Sequence, residues 1–599
     1  MAVPTATRSQ MRGTSAARAA QTRLSQVFAM PAVILGARYY SGRSCFLMPS
    51  ASARRVTCIL LTIVCLVFAA LELVLIPLAG VQDDEVLFTS PLFLPAFTPY
   101  TLAVLHHHLP LMVFPYTGAL KTYLYWPILH LFGSNAYSLR VPMVVAGVLT
   151  ILGFYDFAKR IAGIHASLLA ALLLASDPSF LLPDTFDWGP VALQHLLLVA
   201  GCCLIARGNL RSSFFVFGLA LWDKAVFVWP LAGLGAGALA AYLPEIRQAL
   251  RDKRRIAEAA LAFVIGASPL IVYNIQSRSE TVRSTAHFSL ERLPLKVHEL
   301  DLALNGSGLF GFVAARESEG NPKPAISTGA RFTTWIHDRL GDRHSDLFPV
   351  AVAIALLAAP FWWRSPVRKP ALFAIVFSIV TFAFMAVTRD AGEAVHHTIL
   401  LWPMPQLLVG AALAALCPPP MPLPNGHGSV ALSEPRALAS GFFSFVLASI
   451  LVLSNLLVLN QYIFQLDRYG AHGNFTDAIY PLAEDLRAAP AEHIYVMDWG
   501  LTETLTFLGR GKLPLFAGAD PFFTETPDPQ QLYFISKMFT DPQGLFVGHI
   551  REREVFTGVD ARFVAAAGAS GYRKEIVRTI FDSNHRAVFE IFRLRRVSF

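Results

Sequence analysis

Chemistry on this chain would begin at Gln82-Asp83-Asp84-Glu85, three consecutive carboxylates that follow directly on the apolar run Val56 to Ala79. A helix does not need acids at its boundary in order to sit in lipid, and ionisable groups there are functional candidates by default. Adjacent acids repel one another, and a membrane edge raises their pKa by desolvation. Asp84, Asp83 or Glu85 could therefore serve as general base on an acceptor hydroxyl, or coordinate a divalent cation. The competing reading is a hydrated loop that ends the helix.

The candidate cations lie far away in sequence. Lys121, within Tyr116-Thr117-Gly118-Ala119-Leu120-Lys121-Thr122-Tyr123-Leu124-Tyr125, is the only Lys or Arg between Glu85 and Arg140. An unpaired ammonium among aromatics is costly, so a phosphate or acid partner is expected there, with snorkelling as the alternative. Arg389 and His396-His397 precede the apolar run Thr398–Cys417 and suit phosphate binding at a membrane mouth. Asp223-Lys224 sits at the tip between two apolar runs and reads equally as an internal ion pair or a substrate contact. Asp184 and Asp187, in Leu182-Pro183-Asp184-Thr185-Phe186-Asp187-Trp188-Gly189-Pro190, fit substrate binding or helix capping and turn chemistry. His106-His107-His108 does not suggest a metal site, because successive residues of a helix point in different directions.

Carboxylates and cations at one membrane face, with aromatic interface segments, imply one type of reaction. A carboxylate deprotonates an acceptor hydroxyl, whose oxygen attacks the anomeric carbon of a sugar, while cations neutralise a lipid-tethered phosphate leaving group. Direct attack inverts the anomeric centre. A polyprenyl-phosphate-linked sugar needs no nucleotide pocket, and no glycine-rich phosphate loop stands at a strand–helix junction.

The elements that must position these groups are mostly membrane spans. The chain of 599 residues is 54% hydrophobic and 15% charged, with mean hydropathy +0.49, well below the roughly 25% charge of soluble domains. Its net charge of +8 equals the eight arginines of residues 1–55, which contain no lysine and no acid. The basic balance thus reports a cationic tail and argues for no nucleic-acid partner. That tail is expected to be a disordered leader or not native to the protein. Apolar runs mark eleven candidate spans: Val56–Ala79, Ser138–Phe157, Ala166–Leu182, Gly189–Ala206, Ser213–Leu221, Ala225–Leu243, Ile256–Tyr273, Leu347–Trp363, Pro370–Val387, Thr398–Cys417 and Ala437–Leu459. The fifth is too short alone and would borrow Asn209–Ser212. Every predicted cytoplasmic loop holds Lys or Arg while the short outer loops are acid-rich, which places the N-terminus in the cytoplasm and the C-terminus outside. In the first outer segment, Val86–His108 and Thr117–Phe132 read as helices in the interface plane. Residues 274–346 form a long extracytoplasmic loop, and 461–599 a soluble α/β domain with strands at Glu492–Trp499, Glu554–Val559 and Ala587–Phe592 and a helix at Leu501–Leu508. The fold class is an α-helical polytopic membrane protein, 56–460, with a C-terminal α/β domain.

These residues resemble the membrane glycosyltransferases of GT-C fold, especially family 39, which includes protein O-mannosyltransferases and lipid A aminoarabinose transferases. The resemblance rests on an ordered series over roughly residues 56–410: Asp84-Glu85 after the first span; Gly118, Lys121 and Tyr125 leading into Leu131-Phe132-Gly133; Ser138-Leu139-Arg140-Val141-Pro142 opening the second span; and His396 to Pro403. It implies Asp84 as base, Lys121 on donor phosphate, a polyprenyl-phosphate-linked sugar and membrane lipid as partners, and a lipid, glycan or protein acceptor. Protein O-mannosyltransferases tend to insert their soluble domain between spans, so the C-terminal placement here looks more like bacterial relatives, in an inner membrane with a periplasmic C-terminus. The alternative is a transporter or flippase of lipid-linked sugars, which would place its charges mid-span.

Overall fold

The computed structural model describes residues 51–95, 100–104, 107–416 and 434–597; the basic tail expected over 1–55 lies almost wholly outside them. All eleven apolar runs are helical, but they are not equivalent. Among the described residues, five helices are long and apolar enough to cross a membrane: Arg55–Leu78, Ala136–Ala162, Ala225–Ala249, Arg368–Val387 and Phe443–Tyr469. Three more runs are bent pairs, Ile164–Ser176 with Pro178–Thr185, Lys253–Gly266 with Ser268–Gln276, and Val395–Leu401 with Met404–Ala415, giving up to eight spans by length and composition. Pro178 and Pro269 open the second helix of the first two pairs, where a missing N–H is tolerated but the incoming ladder breaks. The remaining runs give the shorter helices Val191–Ala206, Leu210–Asp223 and Phe348–Leu357. The expected borrowing occurs in part: Leu210–Asp223 starts three residues early and is capped by the Asn209 side chain, which accepts from Ser212 N at 3.1 Å.

Helices pack closely where side chains are smallest. Leu210–Asp223 and Lys253–Gly266 meet back to back at Gly218 and Gly266; a Cβ on Gly218 would lie 2.3 Å from Phe263 O, and one on Gly266 2.3 Å from Phe215 O. In lipid, where apolar burial drives little, such backbone approach is what associates helices.

The first apolar helix ends in the turn Ile76–Leu78, which carries Pro77. Val86–His108 is not one helix. Short helical turns Asp83–Val86, Leu87–Thr89 and Ser90–Phe93 give way to a hairpin of β1 (Tyr100–Val104) and β2 (His107–Phe114), with β3 (Thr117–Gly118) pairing to β2. Prolines at 91, 95 and 99 bar a continuous helix. The second expected interfacial helix is present as Leu120–Phe132.

The C-terminal segment forms a mixed sheet of β4 (His493–Val496), β5 (Leu515–Ala517), β6 (Gly544–His549), β7 (Tyr572–Phe581) and β8 (Ala587–Arg596), in the order β5-β4-β6-β8-β7. β4 pairs parallel with β5 and β6, while β8 is antiparallel to β6 and β7. Thr502–Leu508 is helical as expected. Glu554–Val559 is not a strand. The Glu554 carboxylate accepts from Gly558 N at 2.8 Å and Asp560 N at 2.6 Å, and so caps the helix Val559–Ala569. The sheet shares one hydrophobic core with the segment after the first apolar helix: Val81, Phe88, Leu139 and Met143 pack in the same cluster as Leu482, Leu505, Val547 and Ile591.

A buried ion pair anchors this junction. Arg140, fully buried near the start of Ala136–Ala162, donates to Glu85 Oε1 and Oε2 at 2.7 and 2.9 Å. Its remaining N–H groups reach Ile76 O, Ala79 O and Gly80 O at 2.6, 2.9 and 2.7 Å. Removing one partner of such a pair costs about 3–5 kcal/mol, because the other charge stays buried and unpaired. Arg140→Met is therefore expected to lower stability by about that amount in detergent unfolding, and Arg140→Met/Glu85→Gln to recover part of the loss.

Candidate functional site

The three acids after the first helix share one helical turn and point three ways. Gln82 caps the turn, its side chain accepting from Asp84 N at 2.9 Å while Glu85 accepts from Gln82 N at 3.3 Å. Glu85 is committed to Arg140. Asp83 is turned toward Glu503 of the helix Thr502–Leu508; burial, then the neighbouring Glu503 carboxylate, pushes its pKa well up. Asp84 alone is partly exposed and lines a cavity. Trp188 Nε1 donates to Asp84 Oδ2 at 3.2 Å. Burial raises the Asp84 pKa, and Lys224 and the Trp188 N–H oppose the rise. Because the carboxylates diverge, the triplet cannot jointly hold one metal ion.

The same cavity is lined by Lys224, His396 and His397, with Phe88, Trp188 and Gly189 among its other walls. Lys224 is positioned by backbone pairing. Thr117 bridges antiparallel to Lys224, and Ala225 N donates to Tyr116 O at 2.9 Å. Gly118 permits this approach, since a Cβ there would lie 2.0 Å from Trp222 O. Lys224 immediately precedes the span Ala225–Ala249. Burial pulls its pKa down to about 8, against the pull of Asp84 and Asp223. The Asp223–Lys224 ion pair weighed from sequence is not formed; Asp223 accepts from Gln194 Nε2 at 2.8 Å instead. His396 packs at a tilt against Trp188, with ring centroids 4.3 Å apart, and against His397 at 4.2 Å. His397 Nδ1 accepts from Gly392 N at 3.3 Å, whereas His396 Nδ1 is buried without a partner.

Lys121, for which the sequence leaves a phosphate or an acid partner open, is paired here with an acid. It is fully buried, ion-paired to Asp187 and donating to Gly189 O at 2.7 Å, with Phe88 4.5 Å beneath it. The Tyr125 hydroxyl donates to the other oxygen of Asp187. Lys121, Tyr125 and Asp187 thus form a closed group joined to the cavity wall at Gly189. Asp184 is buried next to Glu72, with Gly147 leaving it room, and does not line the cavity. Arg389 lies in a separate charged crevice with Arg292, Lys296 and Glu393. Among the sequence candidates, the structure brings together Asp84, Lys224, His396 and His397.

Two contributors were not singled out by the sequence reading. Arg140 holds the acidic turn in place, and its only sequence signal is an arginine in a helix-opening motif. Trp188 binds Asp84, stacks on Phe312 at 4.5 Å and meets His396 at a tilt; its signal is an aromatic between Asp187 and a Gly-Pro turn. Among the described residues, one set of His, Asp and Glu ligand atoms converges closely enough for a metal ion: Glu317, His337 and Asp342, none of which lines the cavity.

A sequence profile of the family described as dolichyl-phosphate-mannose-protein mannosyltransferase matches residues 118–273. The fold resembles the crystal structure of ArnT from Cupriavidus metallidurans bound to undecaprenyl phosphate, at 14% identity over 90% of this chain and 98% of that one, with a TM-score of 0.51. The archaeal oligosaccharyltransferase AglB from Archaeoglobus fulgidus, in complex with an inhibitory peptide and a dolichol-phosphate, aligns at 12% identity over 92% of this chain and 75% of that one, with a TM-score of 0.48. No curated protein matches the sequence. The chain is an integral membrane protein of GT-C fold, as its motif series implied.

Asp83 and Glu503 supply a pH test of how the α/β segment docks. An acid whose folded pKa is raised stabilises the fold fully below its unfolded value, near 3.8 for Asp83, and that contribution is lost as pH rises through the folded pKa. Asp83→Asn is expected to flatten the decline in thermal midpoint between pH 5 and pH 8, and to raise the midpoint by about 2 °C at pH 8.

Proposed function

We propose that this GT-C-fold glycosyltransferase moves a sugar from a polyprenyl-phosphate donor to a hydroxyl of a lipid, glycan or protein acceptor, with inversion, and that Asp84 is its base. The observation that carries the reading is the shared cavity. One partly exposed carboxylate, Asp84, and one ammonium, Lys224, line the same space with His396 and His397, just after the first apolar helix ends. The profile match and the undecaprenyl phosphate bound by ArnT support the donor class.

In this mechanism Asp84 takes the proton of the acceptor hydroxyl. The oxygen forms a bond to the anomeric carbon, and the bond from that carbon to the phosphate oxygen breaks. The electron pair leaves on the lipid phosphate, where Lys224 offsets the developing charge. Trp188 fixes the Asp84 carboxylate, and the upward pull of burial on its pKa improves it as a base. Asp83 and Glu85 act through position: one docks the C-terminal segment, and the other locks the turn to Arg140. Lys121, Tyr125 and Asp187 brace the wall. A divalent cation, where one is required, would be held at Asp84, the single member of the triplet that faces the cavity.

The same reading places the cavity on the extracytoplasmic side of a bacterial inner membrane, with eleven crossings over 56–460, a cytoplasmic N-terminus and residues 461–599 as a periplasmic domain. The loop-charge pattern supports that orientation.

Asp84→Asn is expected to cut transfer from a labelled polyprenyl-phosphate sugar by about 10²–10⁴-fold, while Asp83→Asn keeps most of it; undiminished transfer in Asp84→Asn sinks the assignment. Lys224 gives a second readout. kcat/KM for the donor should fall as pH rises past about 8, where the free ammonium is lost. Lys224→Arg should move that limb to higher pH.

A further inference from the structure

We propose that Glu317, His337 and Asp342, with Gln461 beside them, form a divalent-metal site that staples the 274–346 loop to the last long apolar helix. The site is independent of the catalytic reading above.

Three loop pieces supply it. Glu317 opens the turn Glu317–Glu319, His337 lies in the last turn of the helix Thr328–Leu340, and Asp342 follows Gly341 just beyond that helix. One ligand atom from each lies within 4.8 Å of the others. The helix Glu434–Tyr469 supplies the opposite wall. Its Phe464 ring stacks on His337, with centroids 3.9 Å apart and planes 13° apart, which fixes where the imidazole nitrogens point. His337 Nδ1 lies 3.0 Å from Gln461 Oε1 and 3.5 Å from Asp342 Oδ1. Gln461, itself buried, donates its Nε2 to Glu317 at 3.3 Å.

Among the described residues, no lysine or arginine neutralises this cluster. Two carboxylates, an amide oxygen and an imidazole nitrogen converge, and one Nδ1 proton cannot serve both Gln461 and Asp342. The nearby cations are committed elsewhere. Arg468 donates to Lys323 O and to Thr334 Oγ1, and Arg339 lies over Trp335. An ion that replaces the Nδ1 proton would neutralise the carboxylates and unite all four side chains. One imidazole with carboxylate oxygens suits zinc among the first-row ions. Ligand atoms around a tetrahedral zinc lie roughly 3.3 Å apart, so the set would tighten on binding. Asp342, the most exposed member, gives the ion its way in.

The location gives the staple a consequence. Two residues after Glu317, Glu319 accepts from His472 at 2.6 Å, and Lys323 reaches Ser583 at 2.5 Å. The clamped loop is therefore the same one that meets the C-terminal segment.

The test uses the full chain, purified in detergent on a histidine-free tag and stripped with chelator. Zn²⁺ alone is titrated in, and bound zinc is measured by elemental analysis after desalting, alongside the thermal midpoint. One zinc per chain and a raised midpoint are expected for the wild type and for Asp84→Asn. His337→Ala and Asp342→Asn should lose the zinc or bind it at least tenfold more weakly. Should His337→Ala fail to fold, the exposed Asp342→Asn decides. The proposal is overturned if both variants bind zinc like the wild type, if the wild type binds none, or if Ca²⁺ displaces the zinc at equal concentration.

Discussion

The buried Glu85–Arg140 pair is the constraint on which the candidate site depends. An arginine taken out of water must have its donors satisfied, and here all of them are: two by one carboxylate and the rest by three backbone carbonyls. Those carbonyls belong to the end of the first apolar helix, and Glu85 to the turn that follows it. One side chain on the second long helix thus fixes where the first helix stops and how the acidic turn is rotated. With Glu85 pinned and Asp83 facing the C-terminal segment, Asp84 is left to face the cavity.

The opposite wall is assembled by a different force. Lys224 sits where β3 meets the tip after Leu210–Asp223, and backbone pairing holds it there across more than a hundred residues of sequence. The absence of a side chain at Gly118 lets the two backbones meet. His396 reaches the same space through its tilted ring contact with Trp188. Carboxylate, ammonium and imidazoles therefore come from segments with no sequence proximity, gathered by packing beside one helix end. Lys121 shows the same economy from the other side. Its charge is neutralised by Asp187, so it supports the wall instead of facing the cavity.

Local pattern made much of the helical part legible. Each apolar run became a helix, and the borrowed turn at Asn209 followed from its capping chemistry. The misreadings came where local pattern was ambiguous. Val86–His108 is aromatic and apolar enough for an interfacial helix, but its prolines break it into turns and a hairpin. Glu554–Val559 has strand-like residues, yet the Glu554 side chain is used as a cap. At Pro178 and Pro269 the runs are helical to within two or three residues of their read ends, but each is bent instead of a single straight helix.

For the site, the sequence by itself determined the inventory: an acidic triplet at a helix end, scattered cations, and paired histidines before a late apolar run. Burial cost made those residues conspicuous, because few charges are found at an apolar boundary without a reason. Only the tertiary structure decided which of them meet. Whether Lys121 is a free ammonium or half of a buried pair depends on Asp187, which lies 66 positions away, and whether Asp83 or Asp84 faces the cavity depends on Arg140. Spacing in sequence carries no information about pairings made across a helical bundle, since these are set by which carboxylates and cations must neutralise one another out of water.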